Sequence, residues 1–343
     1  MAWPVKQTTR YGQAMEHVRF GRTGLRVSRL CLGTMTFGFQ CDDDTSMAIL
    51  DAAAEGGITF LDTADVYPLG APATLFGRTE EIVGRWLMGK RDDYIVATKC
   101  FFPTGPNAWD GGNSRKNIIR ALDASLRRLG TDYVDLYQVH SWDPHTTIDE
   151  TMQALDDVVR SGKVRYVGCS NYLAYQLARS IGRAEVLGTV AFTSVQPRYN
   201  LLFRENEREL FPLCLDEGTA VIPYNPLAGG FLTGKHTPGA PTKGGRFTLG
   251  YAAGRYQDRY WNDRMFAAID QLRPIAADTG SSLATMAVQW VLANPVITSP
   301  IIGASRPEQL ADALAAAATP IDPDVKAQLD ALTYEFRFGD NAR

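Results

Sequence analysis

The sequence predicts an α/β protein built as a single (β/α)8 TIM barrel, with an N-terminal β-hairpin and a long loop after the seventh strand. Three observations lead there. Eight short apolar runs recur along the chain, continuous rather than alternating, as expected of parallel strands buried on both faces. Segments of helical period separate most of them, and eight such units in about 300 residues suit a closed barrel. No GxGxxG follows the first run, which weighs against an open doubly wound sheet.

The elements follow in order. Residues 16–29 alternate around Gly21-Arg22-Thr23-Gly24 and read as the hairpin, with Val18 and Phe20 before the turn and Leu25 and Val27 after it. Leu30 to Met35 is the first barrel strand. Thr45 to Glu55 is helical and stops at Gly56-Gly57. Ile58 to Asp62 is strand, Glu80 to Met88 helix and Tyr94 to Thr98 strand. Ser114 caps a helix running to Leu129, with Ile118, Leu122, Leu126 and Leu129 at helical spacing. Strands then fall at Val134 to Gln138, Val164 to Cys169, Thr193 to Gln196, Ala220 to Tyr224 and Ser299 to Ile302. Helices fall at Ile148 to Arg160, Tyr172 to Leu187, Glu207 to Glu217 and Pro307 to Ala316, with a last one over 323–335. His236 to Trp261 is polar, Gly- and Arg-rich and too long for an ordinary connection; it follows the seventh strand and should rise over the C-terminal mouth. Residues 1–15 read as a disordered leader, 16–335 as the barrel and 336–343 as a C-terminal tail.

Hydrophobic residues make up 45% of the 343 and charged residues 21%, the balance of an ordinary globular chain. A net charge of −3 argues against a nucleic-acid binder. The five cysteines are scattered with no CxxC, so reduced thiols and a cytoplasmic setting are expected. No apolar run approaches the roughly 18 residues of a membrane span, and Met1 to Ala14 has no apolar core of a signal peptide.

The chemistry gathers at strand ends, the active face of such barrels. Phe60-Leu61-Asp62 ends in a carboxylate, and the phenol of Tyr67 follows five residues later. Lys99 follows Tyr94-Ile95-Val96-Ala97-Thr98, and His140 follows the run ending at Val139. Each alone reads as a satisfied buried polar group; converging, they make a proton-donating phenol, a lysine that lowers its pKa, a carboxylate that aims the lysine and a histidine that orients a carbonyl. Ser170, Asn171 and Gln196 offer a hydroxyl and two carboxamides suited to a nicotinamide amide, and Tyr224 a flat face for its ring. Asn225-Pro226-Leu227-Ala228-Gly229-Gly230 is a tight loop with amides for a pyrophosphate. Gly303 to Gln309 opens a helix, with Ser305 at its cap and Arg306 as a fork for a 2′-phosphate.

With these residues in view, the sequence resembles the aldo-keto reductase superfamily, over about residues 16 to 335. The segments that carry the resemblance are Arg22-Thr23-Gly24-Leu25-Arg26-Val27-Ser28, Leu32-Gly33-Thr34-Met35, Phe60 to Tyr67, Ala97-Thr98-Lys99, and Asp132 to Leu136 with His140. It continues in Gly162-Lys163-Val164-Arg165, Gly168-Cys169-Ser170-Asn171, Gln196-Pro197-Arg198-Tyr199-Asn200, Tyr224-Asn225-Pro226-Leu227 and Ile301-Ile302-Gly303. The resemblance implies a catalytic tetrad of Asp62, Tyr67, Lys99 and His140. It implies NADPH or NADP+ (NADH fitting less well) lying across the mouth, with further contacts from Gly33, Thr34, Met35, Gly229, Gly234 and Ile302. It also implies reversible reduction of aldehydes, ketones or sugar-derived carbonyls, with Tyr67 as proton donor. The segment after the seventh strand resembles the cofactor-covering loop of bacterial members and of potassium-channel β-subunits. Three departures stand out: Tyr67 is followed by Pro68-Leu69-Gly70, Asn225 stands where serine is common, and Ala313 stands where many members place an asparagine, leaving Gln309 as the adenine candidate.

Phe37, Tyr67, Phe101, Phe102, Trp109 and Trp142 are the candidates for an aromatic substrate pocket. Two other readings fit parts of the same sequence. A cofactor-sensing regulatory subunit of the channel β type would share the covering loop. A metal-dependent hydrolase would use Asp62, Asp65, His140 and His145, but four histidines with no HxH pair make a poor metal set, and no metal is expected.

Overall fold

The computed structural model describes residues 15–241 and 243–339. The expected leader lies outside them except for Met15, which packs against the core.

The hairpin forms as expected from β1 (His17–Arg19) and β2 (Arg26–Ser28), paired Val18 to Val27. Its Phe20 is fully buried among Cys31, Phe60, Ala97, Leu136, Ala220, Ile222 and Ile301, so the hairpin plugs the bottom of the sheet. At the turn, the Arg22 amide donates to Gly218 O, and a Cβ on Gly21 would stand 2.5 Å from that same oxygen. With φ at +56° as well, only glycine fits there.

Eight parallel strands make one curled sheet: β3 (Cys31–Gly33), β4 (Phe60–Asp62), β5 (Ile95–Cys100), β6 (Val134–Val139), β7 (Val164–Ser170), β8 (Ser194–Gln196), β9 (Ala220–Val221) and β10 (Ile301–Gly303). Neighbours run in sequence order from β3 to β9, and β10 lies beside β3. The two edges meet: Thr298 N donates to Val221 O and Ile301 N to Pro223 O, both at 2.8 Å. β9 is shorter than the expected Ala220 to Tyr224 because Pro223 has no N–H to give a neighbour. The result is a TIM-barrel-like α/β fold.

The helices are α1 (Asp43–Glu55), α2 (Arg78–Leu87), α3 (Arg115–Leu129), α4 (Ile148–Arg160), α5 (Ala174–Leu187) and α6 (Leu210–Glu217). They continue with α7 (Ala253–Tyr260), α8 (Asp263–Asp278), α9 (Leu283–Leu292), α10 (Leu310–Ala318) and α11 (Pro323–Leu332). Ser114 caps α3 as expected, accepting from Asn117 N. α1 starts two residues earlier than the expected Thr45 because Asp42 accepts from the Thr45 amide. The sequence reading assigned neither α8 nor α9. Residues 283–291 of α9 are all buried, so no polar stripe marks a period.

Of the expected C-terminal tail, 336–343, the structure describes residues 336–339. Phe336 is buried in a 3-10 turn (Tyr334–Phe338), and its carbonyl accepts from Arg204 N at 2.9 Å. Among the described residues no helix is long and apolar enough to cross a membrane.

Candidate active site

The C-terminal ends of the strands open into one cavity of about 1090 Å³. Beneath it the parallel register sets Asp62 opposite Ala97 and Lys99 opposite Gln138, so side chains from four strands meet at one level. Lys99 Nζ donates to Asp62 Oδ2 at 2.5 Å and to Thr63 O at 2.7 Å. The other carboxylate oxygen, Oδ1, accepts from Gln196 Nε2 at 2.9 Å and from Gln138 Nε2 at 3.2 Å. The Gln196 amide also reaches Gln138 Oε1 at 3.2 Å. Lys99 is fully buried, and burial pulls its pKa down; the charge of Asp62, with the hydrogen bonds to Asp62 and Tyr67, outweighs that and holds it above the ordinary lysine value.

Tyr67 lies above this pair, with Lys99 Nζ 5.0 Å from its ring centroid. Its backbone is pinned by Tyr67 N to Ala64 O and by Gly77 N to Tyr67 O. Burial pushes the phenol up to about 12, and the neighbouring lysine only partly opposes this. The expected direction of the lysine's effect therefore holds, but desolvation wins over it. His140, just past β6, meets Tyr67 edge to face at 5.8 Å and Phe102 at 4.9 Å. Burial, then the charges of Lys99 and Arg255, hold its pKa well below the usual imidazole value, so the ring is neutral. Its Nδ1 is buried and has no partner among the described residues.

Most of the residues expected to grip a dinucleotide line the cavity: Gly33, Met35, Asp62, Asn171, Gln196, Tyr224, Asn225, Pro226, Leu227, Gly229, Ile302, Gly303, Ser305, Arg306 and Gln309. Three do not. Thr34 is fully buried and its hydroxyl donates to Asp62 O. Ser170 turns its hydroxyl to Gln196 O and accepts from Asn171 Nδ2, so it braces Asn171 instead of the cavity. Gly234 closes a 3-10 turn at φ +71°, against Arg273 and Leu283. Tyr224 Oη donates to Asn171 Oδ1 at 2.8 Å, which fixes both residues at the mouth.

The aromatic pocket differs more from expectation. Of its candidates only Tyr67 and Phe102 line the cavity. Phe37 is fully buried in the core. Phe101 packs against Phe102, and Trp142 against Tyr172. Trp109 is half exposed, with Lys116 Nζ 4.9 Å from its ring.

The segment after β9 folds over this mouth. Phe231, His236, Phe247, Trp261 and Phe266 pack ring to ring, with His236 5.1 Å from Trp261 and 5.0 Å from Phe247. Gln40 Nε2 donates to Gly244 O across the cavity, at 3.2 Å. Sequence reasoning missed the cavity residues Thr36, Gln40, Arg246, Arg255 and Tyr256, and Gln138 beneath them. An amide inside an apolar strand was the available signal for Gln138; nothing local marks the others.

Gln40 Oε1, Asn225 Nδ2 and Arg246 Nη1 are buried polar atoms with no partner among the described residues, and all three belong to cavity-lining residues. The two donors, Asn225 Nδ2 and Arg246 Nη1, fit an anionic ligand, and Gln40 Oε1, an acceptor, fits a hydroxyl or amine of the same ligand. Among the described residues no group of three His, Cys, Asp or Glu side chains could hold a metal ion.

The comparisons with known proteins agree with this architecture. The aldo/keto reductase family model matches residues 29–333. The chain is 38% identical over 324 residues to "Uncharacterized oxidoreductase YrpG" of Bacillus subtilis (strain 168), covering 92% of this chain and 95% of that protein. It is 37% identical over 301 residues to "Probable voltage-gated potassium channel subunit beta" of Arabidopsis thaliana, covering 86% and 89%. It is 33% identical over 340 residues to "Versiconal hemiacetal acetate reductase" of Aspergillus parasiticus, covering 90% and 94%. This chain belongs to the aldo/keto reductase family of oxidoreductases.

Proposed function

We propose that the protein reduces aldehydes or ketones to alcohols with NADPH, reversibly, and that Tyr67 is the proton donor. One observation carries the reading: a buried lysine, held by a carboxylate that three side chains ligate, lies under a phenol that shares the cavity with a neutral histidine.

When bound, the nicotinamide supplies the hydride. The residues that would hold it are Asn171, Gln196 and Tyr224 at the ring, the Ala228–Thr233 turn at the pyrophosphate, and Ser305, Arg306 and Gln309 at the 2′-phosphate and adenosine. Gln309 Oε1 already accepts from Ser305 N at 2.7 Å, which shapes that end of the cradle. The segment 236–261 would cover it.

The chain's own part is acid catalysis. Tyr67 keeps its proton in the resting site because burial disfavours the phenolate. A carbonyl oxygen accepts a hydrogen bond from the Tyr67 hydroxyl and another from the neutral His140 ring. As negative charge builds on that oxygen, the phenol proton moves to it and the charge passes to the phenolate. Lys99 lies beneath, so its ammonium stabilises the charge where it develops and does less for the neutral phenol. Asp62 keeps Lys99 charged and aimed, and Gln138 and Gln196 hold Asp62. The phenolate regains its proton from solvent.

The test is NADPH oxidation by the pure protein, followed by absorbance with a panel of aldehydes, ketones and keto-sugars. Carbonyl-dependent oxidation is expected. No oxidation with any carbonyl, while NADPH binds, would remove the proposed activity.

A further inference from the structure

The cavity wall is strongly unbalanced in charge. Its only carboxylates among the described residues are Asp62 and Asp312. Asp62 is neutralised by Lys99, and Asp312 accepts from the hydroxyls of Ser282 and Thr285. Against them stand Lys235 and, in two groups, five further cations. Lys243, Arg246 and Arg306 lie on the β10–β3 side: the Arg246 Cγ is 3.4 Å from where a Gly229 Cβ would stand, Gly244 is tied to Gln40 after β3, and Arg306 follows β10. These are the cations a phosphate-bearing dinucleotide would use.

Arg255 and Arg259 form the second group. They stand at i and i+4 on α7, so they share one helix face, and both line the cavity. Two like charges at that spacing repel, and neither has an acidic partner among the described residues. The charge of Arg255 bears on His140 after β6, and both arginines bear on Tyr224. β6 lies across the barrel from β10 and β3. Arg255 on the cavity wall therefore stands on the side of His140, whose ring packs against Tyr67 and Phe102 where the carbonyl would be received, and Arg259 stands one turn further along, toward Tyr224.

Resting on the proposed reductase function, we infer that Arg255, supported by Arg259, selects carbonyl substrates that carry a carboxylate or phosphate a few atoms from the carbonyl. A guanidinium pairs with either anion through two parallel hydrogen bonds, which an ester or a hydroxyl cannot offer. Phe102 supplies an apolar surface for the carbon between the two polar ends. The repulsion between the two arginines is relieved when an anion binds between them.

The experiment measures kcat/KM for 4-carboxybenzaldehyde and its methyl ester, and for glycolaldehyde phosphate and glycolaldehyde, with saturating NADPH. Wild-type protein is expected to prefer the anionic member of at least one pair by about tenfold or more, the scale of one charge-assisted hydrogen bond. The pair that shows it names the carboxylate or the phosphate as the natural group. Arg255→Ala is expected to lower that ratio by about tenfold, Arg255→Glu to lower it further and Arg255→Lys to restore part of it. The KM for NADPH should not follow these changes. Equal wild-type rates within both pairs overturn the inference, as does an unchanged ratio in Arg255→Ala or an NADPH KM that rises by the same factor as the ratio falls. Turnover of the neutral members without preference sinks this inference alone; no turnover of any carbonyl sinks the reductase reading with it.

Discussion

The rings of Tyr67 and His140 stand edge to face, their centroids 5.8 Å apart and their planes at 79°. One is a phenol that keeps its proton and the other an imidazole held neutral, so in the proposed reaction the pair would offer two neutral donors to the carbonyl. Removing the phenol oxygen leaves the ring packing intact and deletes the proton that the proposed mechanism moves to the carbonyl. Tyr67→Phe is expected to lower kcat by ~10²–10⁴-fold, the range of general acid catalysis. NADPH binding, read by fluorescence titration, should be nearly unchanged. A variant that keeps most of its kcat would take the proton donor's role away from Tyr67.

The rate of reduction should be insensitive to pH near neutrality. Tyr67 is pushed up to about 12, chiefly by burial, so it remains a donor through the neutral and mildly alkaline range. His140 is held well below the ordinary ~6.5, first by burial and then by Lys99 and Arg255, so it does not charge until the solution is acidic. The reduction profile of kcat/KM is expected to be flat from about pH 6.5 to 9, with loss on the acid side. A limb centred between pH 7 and 9 would mean that another group titrates in the step.

Much of the site is legible because strand ends are local signals. Asp62, Lys99 and His140 each follow an apolar run, and the parallel register then sets them side by side. Gln138 escapes because its role depends on a partner 76 residues away at Asp62, which no window of sequence contains. The aromatic pocket escapes for a related reason. Which of Phe101 and Phe102 faces the cavity is decided by the backbone turn after β5, and Trp109 and Trp142 find other partners. α9 is invisible to periodicity because it is buried all round.

His140 also ties stability to pH. Its folded pKa is depressed, while in the unfolded chain it takes a proton near pH ~6.5. Below that value the unfolded state binds more protons, so the contribution is complete above it and is lost as pH falls. By pH ~5 the loss should reach up to about 2 kcal/mol. His140→Gln is expected to show a shallower fall between pH 7 and 5 in urea denaturation. Parallel slopes for the two proteins would show that the ring is protonated within the fold.

Arg306 stands at the start of the turn that leads into α10, lining the cavity beside Ser305. A planar, permanently charged fork suits a phosphate monoester and does little for a ribose hydroxyl. Arg306→Ala is expected to raise the KM for NADPH by about tenfold or more, one lost charge-assisted bond, with a much smaller change for NADH. Equal losses for both cofactors would place Arg306 away from the 2′-phosphate.

The covering segment touches the loop that carries Tyr67 at two glycines. Gly70 and Gly250 both adopt positive φ, at +84° and +47°, and a Cβ on Gly250 would overlap Gly70 O. In return, a Cβ on Gly70 would lie 2.9 Å from Leu249 O. Backbone meets backbone here, so no side chain can yield. Gly250→Ala must push residues 249–252 away from 68–70 or distort both, at a cost of about 1–3 kcal/mol. The aromatic cluster around Phe231 would still hold the rest of the segment, so the global fold should survive while the edge over the mouth loosens. The expected result is faster limited proteolysis within residues 236–261 and quicker NADPH release in stopped-flow, with a thermal midpoint close to wild type. If release and proteolysis are unchanged, the contact at Gly70 is not what keeps the segment closed, and the aromatic cluster alone must do so.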